Sequence, residues 1–128
     1  MKKFLKGFLL ILPIVLSNNC IASDFNYNVP LPGGSIANSK LQYDTIMPVY
    51  ASVGTIARKC QKMRIVNTQV IITPYDLKIQ NNKTVGGKWE ELWTVEACSK
   101  QYDVPVKFVL DPTGATYMIS PNNIQKRK

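Results

Sequence analysis

The spacing of apolar residues changes character several times along this chain. Residues 8–16 form an apolar run interrupted only by Pro13. In the stretch 24–39, Phe25, Tyr27, Val29 and Leu31 alternate with Asn26, Asn28 and Pro30, and Pro32 and the Gly33-Gly34 pair follow. That composition is loop-like, with part of it able to lie extended against a folded body. From Pro48 onward, Val49, Val53, Ile56 and Ala57 can share one helical face. Pro48 then takes a first-turn position, and Arg58, Lys59 and Lys62 fall near the end, where cations suit the helix dipole. This predicts a helix over 48–59. Gly54 weakens it, and an irregular or extended segment is the alternative.

Beyond Met63 the period becomes two. Val66, Thr68, Val70 and Ile72 alternate with Asn67, Gln69 and Ile71, and then Tyr75, Leu77 and Ile79 alternate with Asp76, Lys78 and Gln80, which reads as strands. Asn81, Asn82 and the Gly86-Gly87 pair predict a long hairpin connection into a strand over 88–97. Tyr102, Val104, Val106 and Phe108 predict the next strand, with Pro105 marking an edge position or a bulge because proline has no amide to donate. Asp111-Pro112-Thr113-Gly114 is a tight turn, and 115–120 closes the meander. The expected fold class is α+β: an antiparallel β-meander of four to five strands with one N-terminal helix. In domain terms this means a signal over 1–22, an extended lead-in arm over 23–39, one domain over 40–121 and a basic tail over 122–128.

The first apolar run changes how the chemistry is judged. Lys2, Lys3 and Lys6 precede a run of about nine apolar residues, roughly half of what a bilayer-spanning helix needs, so the pattern is that of a cleavable export signal. Cleavage is expected after Ala22, with the site after Ser23 as the alternative. Lipidation at Cys20 is disfavoured because Ser17, Asn18 and Asn19 occupy the positions before it. The expected location is therefore periplasmic or secreted, with no membrane span in the mature form.

Charge points away from nucleic acid. The chain holds 16 Lys and Arg against 8 Asp and Glu. Loss of the signal removes three lysines and no acid, and Lys126, Arg127 and Lys128 account for three of the five remaining net positives. The body is close to neutral and shows no basic stripe for phosphates. The terminal cations read as a solvated end that could touch anionic lipid or another polyanion.

Of three cysteines, Cys20 leaves with the signal, and Cys60 and Cys98 remain. An even count in an exported chain predicts a disulfide. In the chain-entropy model, closing that loop stabilises the fold by about 4 kcal/mol.

The most unusual constellation is Trp89-Glu90-Glu91-Leu92-Trp93. In a strand, Trp89, Glu91, Trp93, Val95 and Ala97 share one face, which a single carboxyl interrupts. One reading makes the indoles core and sends Glu91 to a strand neighbour or to a cation such as Arg64 or Lys107. The other makes Trp89, Glu91 and Trp93, with Tyr75 nearby, an exposed platform for a sugar ring or a cationic ligand. The parity leaves Cys98 on the opposite side, so either a bulge precedes it or the crosslink ties the other sheet face to the segment ending at Cys60.

The stretch Gly87-Lys88-Trp89-Glu90-Glu91-Leu92-Trp93-Thr94-Val95-Glu96-Ala97-Cys98, with Val104-Pro105-Val106-Lys107-Phe108 and Asp111-Pro112-Thr113-Gly114-Ala115-Thr116, resembles small exported gamma-proteobacterial proteins of unknown function. These carry a G-x-W-x-E-x-W-T-V-x-x-C-G pattern, an earlier K-C and a later F-x-x-D-x-x-G-x-T. The likeness covers 59–119 and departs at Ser99, where the pattern has glycine. It implies the same cysteine pairing and a sheet-rich body, and it brings no activity.

With no histidine in the chain and no free cysteine expected after cleavage, Ser-His and Cys-His nucleophiles and histidine-ligated zinc are excluded. Paired carboxylates remain for catalysis. Glu90 and Glu91 point to opposite sides of a strand, which leaves Glu91 with Asp103 or Asp111. No metal or cofactor is implied. The expectation is an exported noncatalytic binding or interaction protein, a monomer whose partner is a protein or glycan, with action outside the cell one outcome. The alternative is a periplasmic accessory or inhibitor protein that adds an open strand edge to another exported protein. Burial of the indoles favours the second.

Overall fold

The computed structural model of the chain describes residues 27–128. The expected export signal, Cys20 and the first residues of the arm lie outside that range. One helix, α1 (Ser39–Gly54), packs on an antiparallel sheet of β1 (Met63–Gln80), β2 (Lys83–Ala97), β3 (Lys100–Asp111) and β4 (Gly114–Ile119). These four strands lie in sequence order, and a short β5 (Gln125–Lys126) pairs with β3 beside β4. A disulfide joins Cys60 to Cys98 across a Cα separation of 5.8 Å. The meander, the helix and the crosslink are those expected.

The helix starts nine residues before the predicted 48–59 and ends five before it. Its start is set by Asn38, whose side chain accepts from the Leu41 amide at 2.9 Å and so satisfies one of the first-turn donors. The buried stripe runs Leu41, Gln42, Thr45, Ile46, Val49, Tyr50 and Val53. Two polar residues in that stripe hide it from a hydrophobicity reading, and each has a local reason to be buried. Thr45 donates its hydroxyl to the Leu41 carbonyl at 2.6 Å. Gln42 accepts from the Leu31 amide and donates to the Ala37 carbonyl, both at 2.8 Å, and so fastens the arm to the helix. Pro48 lies inside the helix rather than at its start. Proline cannot bond back to the carbonyl of residue 44, but Asp44 is exposed, so water can reach the freed oxygen. Arg58 and Lys59, expected in the last turn, belong instead to the loop that leads to Cys60.

The two predicted strands between 66 and 80 are one long strand. Shifts in its register against β2, the first between Ile65 and Asn67, break the simple alternation. The buried residues of β1 are therefore Met63, Ile65 and Thr68, with Val70 only half-buried. Asn81 and Asn82, at φ of 50° and 64°, close a two-residue turn between Gln80 and Lys83. Such hairpin turns require positive φ at both central residues, which asparagine tolerates. The Gly86-Gly87 pair consequently lies inside β2 and not in the connection. At Gly87, φ is +156° and a Cβ would stand 2.8 Å from a Leu77 methyl, so this position needs glycine.

The parity problem at Cys98 disappears because Cys98 is not in a strand. Cys98 and Ser99, at φ of 50° and 71°, form a second two-residue turn between Ala97 and Lys100. Reversal of the chain there, rather than a bulge, aims the sulfur at the loop after α1. Pro105 pairs with Leu92 on one flank. On the other it falls in the interval between β5, which ends its pairing at Asp103, and β4, which begins at Val106. The missing amide donor thus sits where the partner strands are interrupted.

The arm is part of the core. Leu31 and Ala37 are buried with Ile46, Val49, Tyr50, Trp93, Val95, Val104, Val106 and Phe108. The end of the chain is exposed, as expected, and is also fastened. The Arg127 amide donates to the Gln101 carbonyl at 2.8 Å, and its guanidinium meets both Asp103 oxygens at 3.0 and 2.8 Å. That carboxylate raises the Arg127 pKa above the usual arginine value.

Candidate functional site

Trp89, Glu91 and Trp93 do share one face, and that face is turned inward. Trp93 and Glu91 are fully buried, and Trp89 is half-buried. Strand geometry explains the motif. Residues two apart on a strand lie side by side, so both indole N–H groups reach the carboxyl between them. Trp89 Nε1 donates to Oε1 at 3.0 Å and Trp93 Nε1 to Oε2 at 2.7 Å. A third donor comes from the arm, where the Ile36 amide reaches Oε1 at 2.9 Å. A buried carboxyl without partners would cost several kcal/mol or more, whereas this one has three donors. Phe108 closes the cluster, stacked on Trp89 at 5.1 Å between centroids and tilted against Trp93 at 6.0 Å.

The partners of Glu91 are therefore the flanking indoles and the arm, and neither cation named from the sequence. Arg64 pairs with Glu96 at 3.1 Å, and Lys107 stands opposite Glu90 on the other face of the sheet. Tyr75, half-buried and opposite Lys88, lies outside the clamp. The structure brings three of the four sequence-selected residues together as an internal fastening and leaves no open aromatic platform at Trp93.

The carboxyls proposed to face Glu91 do not. Asp103 stands opposite Thr94, on the face away from Glu91, and is held by Thr94 and Arg127. Asp111 sits at the far turn, where it accepts from the Thr113 amide and hydroxyl. Those two bonds hold its carboxyl below the usual aspartate range. Among the described residues no group of three His, Cys, Asp or Glu could hold a metal ion.

The open chemistry lies further along the sheet. The last aromatic rung is Trp89 opposite Phe108. Beyond it β1 and β2 run on as a hairpin without the helix or arm over them. Ile71 and Ile72 are 43% exposed, Leu77 53% and Ile79 66%. Between this hairpin and β3 a trough of about 430 Å³ opens over Gly86 and Gly87, bordered by Leu77, Val85, Leu110 and Pro112. Sequence reasoning saw alternation here but could not tell a buried face from a bare one, because alternation says only that the two faces differ.

The outer edge of β1 is treated differently along its length. Near Thr68 it is covered: the Gly34 amide donates to the Thr68 carbonyl at 2.7 Å and the Ser35 amide to the Thr68 hydroxyl at 3.0 Å. Gly33, at φ +102°, makes this approach possible, since a Cβ there would lie 2.2 Å from the Thr68 carbonyl oxygen. Past Thr68, no described residue pairs with that edge. Pro74 and the positive φ of Asp76 interrupt it, devices that keep an edge from pairing indiscriminately.

The chain matches no family model, no curated protein and no solved structure. The crosslink is compatible with export, and no helix among the described residues is long and apolar enough to cross a membrane.

Proposed function

We propose that this chain is an exported, noncatalytic interaction protein that docks its distal hairpin onto another exported protein, in the periplasm or outside the cell. One observation carries the reading: Ile71, Ile72, Leu77 and Ile79 stand exposed on a hairpin that extends past the packed core. Exposed apolar side chains grouped on one element mark interaction surfaces more often than scattered ones do. The burial of Trp93 and Glu91 moves the reading from a glycan platform to protein docking, because the carboxyl's three hydrogen bonds are already internal. Past the covered edge, Gln69 and Val70 keep their register before the shift between Val70 and Ile72 and offer a short length for strand addition, with Leu77 and Ile79 as apolar contacts beyond it. This keeps the chain with the small exported gamma-proteobacterial proteins it resembles.

A photocrosslinking residue placed at Leu77 or at Ile79 tests the reading, with Tyr43 on the helix as the control position. The expected outcome is one adduct of defined mass at both hairpin positions and none at Tyr43. Equal labelling at all three, or none at the hairpin, overturns it.

A further inference from the structure

The disulfide does more than close a loop: it assembles cations from three distant parts of the chain. Lys59 precedes one cysteine and Lys100 follows the other by two residues, so the Cys60–Cys98 bond draws their segments together. The strand pairing of β5 adds Lys126 from the end of the chain, opposite Tyr102. The result is a groove of about 540 Å³ bordered by Arg58, Lys59, Lys100 and Lys126, with Ile56 and Tyr102 among its apolar lining. No Asp or Glu lines it. None of its four cations joins an ion pair among the described residues, since Glu96 and Asp103, the acids on the neighbouring strands, pair with Arg64 and Arg127.

We infer that this groove is a binding site for a phosphate or sulfate monoester, its oxyanion held between Lys100 and Lys126 with Arg58 and Lys59 beside it, and its carbon portion resting on Ile56 and Tyr102. Like charges held at close range repel, and an oxyanion between them turns that repulsion into attraction. The nearby positive charge of Lys100 pulls the Lys126 ammonium below the usual lysine range. An oxyanion with several acceptor lone pairs would bond both ammoniums at once and reverse that repulsion. The mixed lining favours an ester over the bare ion, because an apolar wall adds nothing to the binding of inorganic phosphate.

The test uses the oxidised, folded protein labelled with 15N and titrated with phenyl phosphate, and separately with vesicles of phosphatidylcholine containing phosphatidic acid. Sodium chloride at matched ionic strength is the control. Saturable shifts confined to residues 56–60, 98–102 and 126 are expected with phenyl phosphate. Each of Lys100→Gln and Lys126→Gln should weaken binding by about tenfold or more, the worth of one charge-assisted hydrogen bond. Lys83→Gln, on the distal hairpin, should leave it unchanged. A stronger response to vesicles than to phenyl phosphate assigns the monoester to a lipid headgroup, and the reverse assigns it to a soluble compound. The inference is overturned by shifts spread equally over Lys78 and Lys83, by an unchanged response in the two glutamine variants, or by vesicle binding with no response to phenyl phosphate.

Discussion

The two ends of the sheet are built from the same strands and obey opposite rules. At the proximal end, from Met63 to Thr68 in β1 and from Glu91 to Ala97 in β2, helix, arm and strands enclose one core. Its polar groups are buried and paired: Glu91 with two indoles and an amide, Gln42 with the arm, Thr68 with residues on either side of Gly33. At the distal end the same two strands continue without a cover, and isoleucine and leucine face water. The proximal end shows what a chain of this size needs in order to fold, namely a small core closed by a covalent link and by satisfied buried polar groups. The distal end shows what can be left open once that need is met.

The contrast is broken most directly by removing its anchor. Trp93→Ala should destabilise the protein by about 3–5 kcal/mol, because it empties a fully enclosed site and takes one donor from Glu91. A denaturant titration measures it, and a loss under about 1 kcal/mol would mean that the core can collapse onto the space. Replacing Cys60 and Cys98 together with serine should cost about 4 kcal/mol by the entropy of the opened loop. It should also free the segment bearing Arg58 and Lys59 from the turn bearing Lys100, visible as a loss of chemical-shift dispersion there before any change at Trp93.

Glu91→Gln sharpens the account of the clamp. The amide oxygen can still accept, but its NH2 must then oppose an indole or backbone donor, and a cost of about 1–3 kcal/mol is expected. If the variant is as stable as the parent, the three hydrogen bonds are not what holds the arm. On the distal side, Leu77→Asp with Ile79→Asp should change stability by no more than about 0.5 kcal/mol per site while abolishing any partner adduct, as befits exposed positions. Hydrogen exchange offers the same comparison without mutation. Amides of Val95 and Val104 should open only with global unfolding, and those from Thr73 to Lys83 through local opening.

The smallest effect belongs to the turn at Asp111. Its carboxyl has a lowered pKa because the Thr113 hydroxyl and amide favour the charged form. The small stabilisation this brings is present above the unfolded-chain value and is lost as pH falls through the lower folded-state value. Carboxyl NMR should show Asp111 titrating below an ordinary aspartate, and Thr113→Ala should return it upward. No movement in that variant would remove the assigned cause.

Much of this fold was legible in the residues. Period-two alternation from Met63 onward, the proline-glycine turn at 111–114, two cysteines and the odd-numbered face of 89–97 each follow from local geometry that the chain carries wherever it is placed. Those features predicted the meander, the crosslink and the sharing of one face by Trp89, Glu91 and Trp93. The helix was misplaced because two of its buried positions, Gln42 and Thr45, are polar. Their burial makes sense only once the arm and the preceding turn of helix supply partners. The fastening of the tail was hidden for the same reason, since Arg127 meets Asp103 only after β5 has paired with β3.

What the amino-acid order determined by itself was therefore periodicity, turns and covalent capacity, properties of residues close in sequence. Three things depended on tertiary structure: which face is covered, which groups donate hydrogen bonds to Glu91, and which cations gather beside the disulfide. Burial and electrostatics act through space, between segments tens of residues apart. Their outcome is set only when the helix, the arm and the end of the chain have all reached the sheet.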